Sequence, residues 1–363
     1  MVAATSMPDL PERMRGAVLV GPQRIEIRDV PVPRAGPGEI VLRIGAALTC
    51  GTDVKVYRRG GHPRMLRVPT LFGHEMAGTV AARGGDVDAF DLGDAVVVVN
   101  SAACGDCDYC RCRRENLCTD LHYLNGAFAE YLHVPARFVA RSTYSIPEGL
   151  DFATAALTEP LACVLHGIDA CELDRRARPS QVVVFGAGPI GLLFTAALAR
   201  RGHRVVLADP NPARLEVGAR MGAARTLEVA RGGGEARRVV EHSSDDGLGA
   251  DVCVDCTGQP GVWSDCIEAL RPGGLALLFG GCAPGTRVEM DTHRVHYSEI
   301  TVKGVYHHRP DSVRRALDML RDAAFGAEHL LGAARPIDEV EQALESMIAK
   351  QALKVVIRGT APP

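Results

Sequence analysis

The chain has 363 residues, 47% of them hydrophobic, and a formal net charge of −3. That length buries a sizeable core and favours two domains over one. The near-neutral balance, with arginines set among acids as in Asp318 to Asp322, excludes the electrostatic footprint of a nucleic-acid or membrane-surface binder.

Met1 to Asp9 has no basic flank followed by an apolar stretch, and no apolar run reaches the ~18 residues of a membrane span, so a soluble, cytoplasmic protein is expected. In such a chain, twelve cysteines point first to metal binding and only second to disulfides. From Met14 to Val99, short Val- and Ile-rich runs alternate with Gly/Pro turns: residues 17–20, 24–27, 40–44, 78–81 and 95–99. This punctuation predicts a β-rich antiparallel module, with a tight turn at Gly93-Asp94.

After about Leu150 the pattern changes. Apolar strands at 182–185, 205–208, 252–255 and 275–279 alternate with amphipathic helices at 189–201 and 212–221, and a last strand is expected at 299–302. Strand and helix in turn predict a doubly wound parallel sheet covered on both faces. Helical patterns at 311–325 and 337–350 precede a final strand at 354–357, which is expected to return to the first module. The boundaries that follow are 14–160 plus 305–363 for one domain and 161–304 for the other.

Gly186-Ala187-Gly188-Pro189-Ile190-Gly191 follows an apolar strand and opens a helix, the context that lifts this fingerprint above chance. The first glycine permits the turn, the second lets backbone approach a pyrophosphate, and the third lets helix and strand pack closely. The helix N-terminus offers free N–H groups to phosphate. Asp209 ends the next strand, about 20 residues on, where a carboxylate accepts from ribose hydroxyls and repels a 2′-phosphate. NAD is therefore expected over NADP, with Arg214 the nearest cation to argue otherwise.

Cys104, Cys107, Cys110 and Cys118 have the spacing of a four-thiolate zinc lobe within residues 100–120. Four sulfurs leave no open position, so the site reads as structural. Cys112 breaks the spacing and reads as a bystander, with a ligand swap, a disulfide or an iron–sulfur cluster as alternatives. A catalytic zinc needs three protein donors and a vacant corner. Its candidates are Cys50 in Thr49-Cys50-Gly51-Thr52-Asp53, His74 in Gly73-His74-Glu75, and Glu159 in Glu159-Pro160-Leu161-Ala162-Cys163, too far apart for spacing alone to unite them.

Taken together and in this order, these segments resemble the zinc-containing medium-chain dehydrogenases, especially the sorbitol and threonine dehydrogenase-like branch, over Met14 to Arg358. The resemblance implies a GroES-like catalytic domain, a Rossmann cofactor domain and two zinc ions per chain. It also implies hydride transfer between NAD and a secondary alcohol of the polyol, sugar, cyclitol or amino-alcohol class. Cys50 and His74 match catalytic zinc ligands, with Glu75 and Glu159 competing for the remaining place. Thr52 matches the hydroxyl that passes the alcohol proton outward, and Asp53 an acid behind the metal site. Successive side chains of an extended segment point opposite ways, so His74 and Glu75 share a metal only if the backbone turns there, with Gly73 and Gly78 able to relax it.

Where many relatives carry a relay histidine this chain has Lys55, which requires either a buried lysine or proton exit by water. His122, Tyr123, Asn125, His296, His307 and His308 are candidate contacts to substrate hydroxyls. A homodimer or homotetramer is expected by resemblance. The alternatives are an NADPH-dependent reductase of a ketone or aldehyde and a non-catalytic zinc-containing interaction protein. Against the latter stand a cysteine lobe without basic, aromatic-interleaved surroundings and an aromatic content of 5%.

Overall fold

The computed structural model of the protein describes residues 10–175 and 179–359. The leader-free reading of Met1 to Asp9 lies outside the described residues. Two compact units emerge. The first runs to Pro160 and adds Arg309–Asp322 and the segment from Leu330 on; the second holds Leu161–His308 and Ala323–His329.

In the first unit, the runs at 17–20 and 24–27 form a three-stranded sheet with Thr70–Leu71, and those at 40–44, 78–81 and 95–99 join a seven-stranded sheet. Its central strand, Ile40–Leu48, pairs antiparallel with Glu75–Arg83 and with Lys354–Arg358, and Tyr131–Val134 also joins it. Ile40, Leu42, Met76, Val80, Val96, Val98 and Phe128 fill the core beneath. Two register pairs set the site. Leu48 lies opposite Glu75, so the end of one strand and the start of the next bring Cys50 and His74 together. Leu48 also lies opposite Val356, which carries Lys354 to the same corner. The final strand, Lys354–Arg358, lies in the first unit. Residues 305–308 continue from the strand Thr301–Gly304 of the second unit, and Ala323–Phe325 pack on the helix Pro189–Arg200 with Phe325 buried.

The second unit is a six-stranded, all-parallel sheet. Across it run Arg225–Glu228, Arg204–Asp209, Gln181–Phe185, Ala250–Asp255, Leu270–Leu278 and Thr301–Gly304, the order 3-2-1-4-5-6. Its strands are near-continuous hydrophobic runs because helices cover both faces, as Val182, Val183 and Val184 at 0% exposure illustrate. The predicted helix at 311–325 stops at Leu320 and resumes as a single 3₁₀ turn, Ala323–Phe325. That at 337–350 is a 3₁₀ turn, Ile337–Glu339, followed by Val340–Ile348.

Candidate metal and cofactor sites

Cys50 is the N-cap of the helix Gly51–Arg59, with extended backbone (φ −124°, ψ 153°). Its Sγ accepts from the Thr52 N–H at 3.4 Å, and the Asp53 carboxylate closes the box by accepting from the Cys50 N–H at 2.9 Å. The other oxygen of Asp53 is 2.9 Å from Nδ1 of His74, and both side chains are buried. A carboxylate only accepts, so Nδ1 carries a proton, and in the neutral imidazole Nε2 is the nitrogen that keeps its lone pair. Burial works against a charged imidazole here, yet Asp53 and then Cys50 raise its pKa well above the ordinary value.

The turn foreseen before Glu75 is at Gly73, whose φ is +89° and whose missing Cβ would lie 2.8 Å from the Phe128 ring. As a result Cys50, His74 and Glu75 offer donor atoms that all lie within 4.8 Å of one another. Glu75 is fully buried. One of its oxygens takes a hydrogen bond from Nζ of Lys354, which also donates to the Thr49 carbonyl at 3.1 Å. The other, Oε1, has no hydrogen-bond partner, although buried. Burial pushes this carboxyl up, and Lys354 and His74 oppose the push. Glu159, in the first turn of the helix Thr158–Ala170, is also buried; its carboxyl is pushed up to about 7 by burial, with His74 lowering it and Glu75 raising it.

Thr52 is half-buried on the first turn after Cys50. Lys55 is exposed, which removes the buried-lysine route. Lys354 went unnoticed in the sequence. Its only signal there is a charged residue opening an apolar strand, which reads as an ordinary strand edge.

The four-cysteine lobe is compact. Cys104–Cys110, Cys107–Cys110, Cys107–Cys118 and Cys118–Cys104 have Sγ–Sγ distances of 3.9, 3.5, 3.8 and 3.5 Å. Sulfurs held tetrahedrally about 2.3 Å from zinc are roughly 3.8 Å apart, so the set fits one zinc ion. Backbone N–H groups of Cys104, Gly105, Cys107 and Asp120 point at these sulfurs at 3.3–3.4 Å, which favours thiolates. N–H groups of Cys110 and Thr119 bring the Cys107 thiol down to about 6. Cys112 is exposed and outside the group, and all twelve cysteines are unbridged.

In the second unit, the strand Gln181–Phe185 runs into Gly186 (φ +99°), and Gly188 caps the helix Pro189–Arg200 with Pro189 in its first turn. A Cβ on Gly191 would lie 1.7 Å from the Gly186 carbonyl oxygen, so that glycine is there for packing. A Cβ on Gly188 would meet nothing within 4 Å, so the space beside the helix N-terminus is open to a phosphate. Ile190 is half-buried on the same turn. The Asp209 carboxylate is buried and accepts from the N–H groups of Ala187 at 2.7 Å and Asn211 at 2.8 Å, tying it to the glycine loop. Burial lowers the pKa of the half-buried Arg214; Asp209 opposes this and Arg231 adds to it, so Arg214 lies within electrostatic reach of Asp209.

The other polar candidates have varied surroundings. His122 pairs with Asp120 at 3.0 Å on the surface, Asn125 donates to the Met65 carbonyl at 3.0 Å, and His296 meets the Tyr297 ring edge-to-face. The His307 carbonyl is 2.7 Å from Nδ1 of His166, and His308 is buried, its pKa brought down to about 3 by burial and His166.

Residues 36–147 match the family model of the alcohol dehydrogenase GroES-like domain, and residues 189–322 that of zinc-binding dehydrogenases. The chain is 32% identical over 337 residues to an L-threonine 3-dehydrogenase of Anaeromyxobacter sp. (strain Fw109-5), covering 91% of this chain and 94% of that protein. It is 28% identical over 357 residues to a sorbitol dehydrogenase of Bacillus subtilis (strain 168), covering 96% and 98%. A Sinorhizobium meliloti 1021 protein, described as a zinc-binding dehydrogenase and solved with NADP bound, matches with a TM-score of 0.84 at 27% identity, covering 96% of this chain and 100% of that one.

Proposed function

The chain belongs to the zinc-containing medium-chain dehydrogenase family, and from that premise we propose that this oxidoreductase exchanges hydride between a secondary alcohol and NAD. The observation that carries the reading is the convergence of Cys50, His74 and Glu75, with Asp53 holding the imidazole. The named relatives support the substrate class: threonine and sorbitol each carry a secondary hydroxyl beside a second polar group. Polyols, sugars, cyclitols and amino alcohols are the proposed substrates.

Bound zinc would supply the Lewis acidity that makes an alcohol hydroxyl acidic, and NAD the hydride acceptor. Cys50 Sγ, His74 Nε2 and Glu75 Oε1 would hold the catalytic ion. Asp53 keeps the imidazole in the tautomer that presents Nε2. Lys354 occupies one oxygen of Glu75, and the unpartnered Oε1 is the oxygen left to offer. Glu159 is the alternative carboxylate of the same surroundings. Thr52 would take the alcohol proton on its hydroxyl and release it to water, since Lys55 is exposed. Cys104, Cys107, Cys110 and Cys118 would hold a second, structural zinc.

Gly186 to Gly191 would hold the pyrophosphate, and Asp209, whose oxygens each keep a lone pair, the adenosine ribose. A second reading, NADP with reduction of a ketone or aldehyde, is favoured by Arg214 within electrostatic reach of Asp209 and by the NADP of the Sinorhizobium relative. Initial rates with NAD and NADP over polyols, cyclitols and amino alcohols test the proposal. Turnover confined to long apolar alcohols overturns the substrate class, and a higher kcat/KM with NADP overturns the cofactor assignment. A homodimer or homotetramer is part of the proposal, with sedimentation velocity as its check.

A further inference from the structure

The strand Gln181–Phe185 has the earlier-built side of the sheet on one flank and Ala250–Asp255 on the other, so the strand order reverses between them. Ligands of open parallel sheets bind outside the carboxyl ends of the strands at such a reversal. Asp255 sits there, in register with Phe185, the residue before the glycine loop. It is a fully buried acid that the zinc and ribose chemistry above does not use.

Its carboxylate is saturated with donors. One oxygen accepts from the Thr257 N–H at 2.9 Å and the Thr257 hydroxyl at 2.6 Å. The other accepts from the Gly258 N–H at 3.0 Å and from Nε1 of Trp263 at 3.0 Å. Trp263, the sole tryptophan, also approaches the Gly280 carbonyl at 3.3 Å, while the Asp255 carbonyl accepts from the Gly280 N–H at 2.9 Å. The loop so gathered is wedged between two others. A Cβ on Gly186 would meet the Thr257 methyl at 2.9 Å, and one on Gly258 (φ +67°) would meet the Gly281 carbonyl at 2.5 Å.

We propose that Asp255 is a positioning residue for the dinucleotide: it clasps residues 255–258, the glycine loop and Gly280–Gly281 into one preformed cradle, with Trp263 as the pin. The clasp needs a carboxylate, because every group facing the second oxygen is an N–H that cannot accept. An Asn at 255 sets its NH₂ against at least one backbone or indole N–H, and the loops lose their common anchor. The cost falls on cofactor binding, since the groups Asp255 holds, Thr257, Gly258 and Trp263, belong to the loop packed beside Gly186. The inference rests on the dinucleotide-binding reading above.

The test compares wild type, Asp255→Asn and Trp263→Phe as zinc-loaded full-length proteins, titrated with NADH and, in parallel, NADPH. Expected for Asp255→Asn are a Kd for the reduced cofactor raised about tenfold or more, a KM for the oxidised cofactor raised in step, and kcat within about threefold of wild type. The emission of Trp263 should shift in the cofactor-free variant while zinc content stays at the wild-type value. Trp263→Phe, which removes one donor, should raise the Kd by a smaller factor, and it decides the matter if Asp255→Asn does not fold. An unchanged Kd in the variants, or a kcat that falls as far as KM rises, overturns the clasp alone. Wild-type protein that binds neither cofactor overturns the functional reading and the clasp with it.

Discussion

Replacing Lys354 by methionine isolates the charge behind the metal site. Methionine keeps most of the volume, so the packing change costs less than about 1.5 kcal/mol. What is lost is a fully buried ammonium that donates to Glu75 and to the Thr49 carbonyl, leaving Glu75 buried with neither oxygen partnered. Breaking one side of a buried ion pair costs about 3–5 kcal/mol, which lowers Tm by roughly 6–20 °C for a unit of this size. Zinc changes the sign of the neighbourhood, because a dication beside Glu75 replaces part of the missing charge. Urea unfolding of chelator-treated and zinc-loaded protein should therefore show a larger loss without metal than with it. Adding Glu75→Gln removes the second charge and should recover most of the metal-free loss. A metal-free Lys354→Met midpoint equal to wild type, or two losses that simply add in the double variant, would refute the account.

Asp53→Asn frees Nδ1 of His74 from its carboxylate and should weaken the catalytic zinc about 10–100-fold, read as one zinc per chain retained against a competing chelator. Cys118→Ser should cost the other zinc and shift unfolding, whereas Cys112→Ser, on an exposed residue outside the sulfur cluster, should leave metal content unchanged. His308 supplies a pH dependence. Its folded-state pKa, brought down to about 3, lies below the unfolded value near 6.5, so the unfolded chain binds the proton first. The stability this group contributes is present above about pH 6.5 and is lost as pH falls toward 3, by up to about 1.4 kcal/mol per unit. Stability measured against His308→Asn should converge with falling pH; parallel curves would show that His308 is charged or exposed in the folded protein.

Much of this molecule is written locally. The glycine fingerprint, the four-cysteine spacing and the strand–helix alternation each depend on neighbours within about twenty residues, so the parallel sheet, its glycine turn and the sulfur cluster are legible in the sequence. The helices Gly51–Arg59, Ala236–Ser243 and Pro260–Glu268 are not. Their sequences carry few consecutive apolar residues, and the first is started by Cys50 and Asp53, which read as metal chemistry before they read as a cap.

The donors of the proposed catalytic centre belong to the other kind of information. Cys50 and His74 meet because Leu48 and Glu75 are opposed in a sheet, a register that depends on contacts across the core and leaves no mark in either segment. Sequence left Glu75 and Glu159 level. Tertiary structure gives Glu75 a buried lysine 279 positions away and one oxygen without a hydrogen-bond partner. Asp255 shows the same division: its place at the end of an apolar strand is readable, but four donors converging on one carboxylate arise only when the chain has folded around it. Pattern reports which face of an element is apolar; which charge finds which partner is a matter of distances through space.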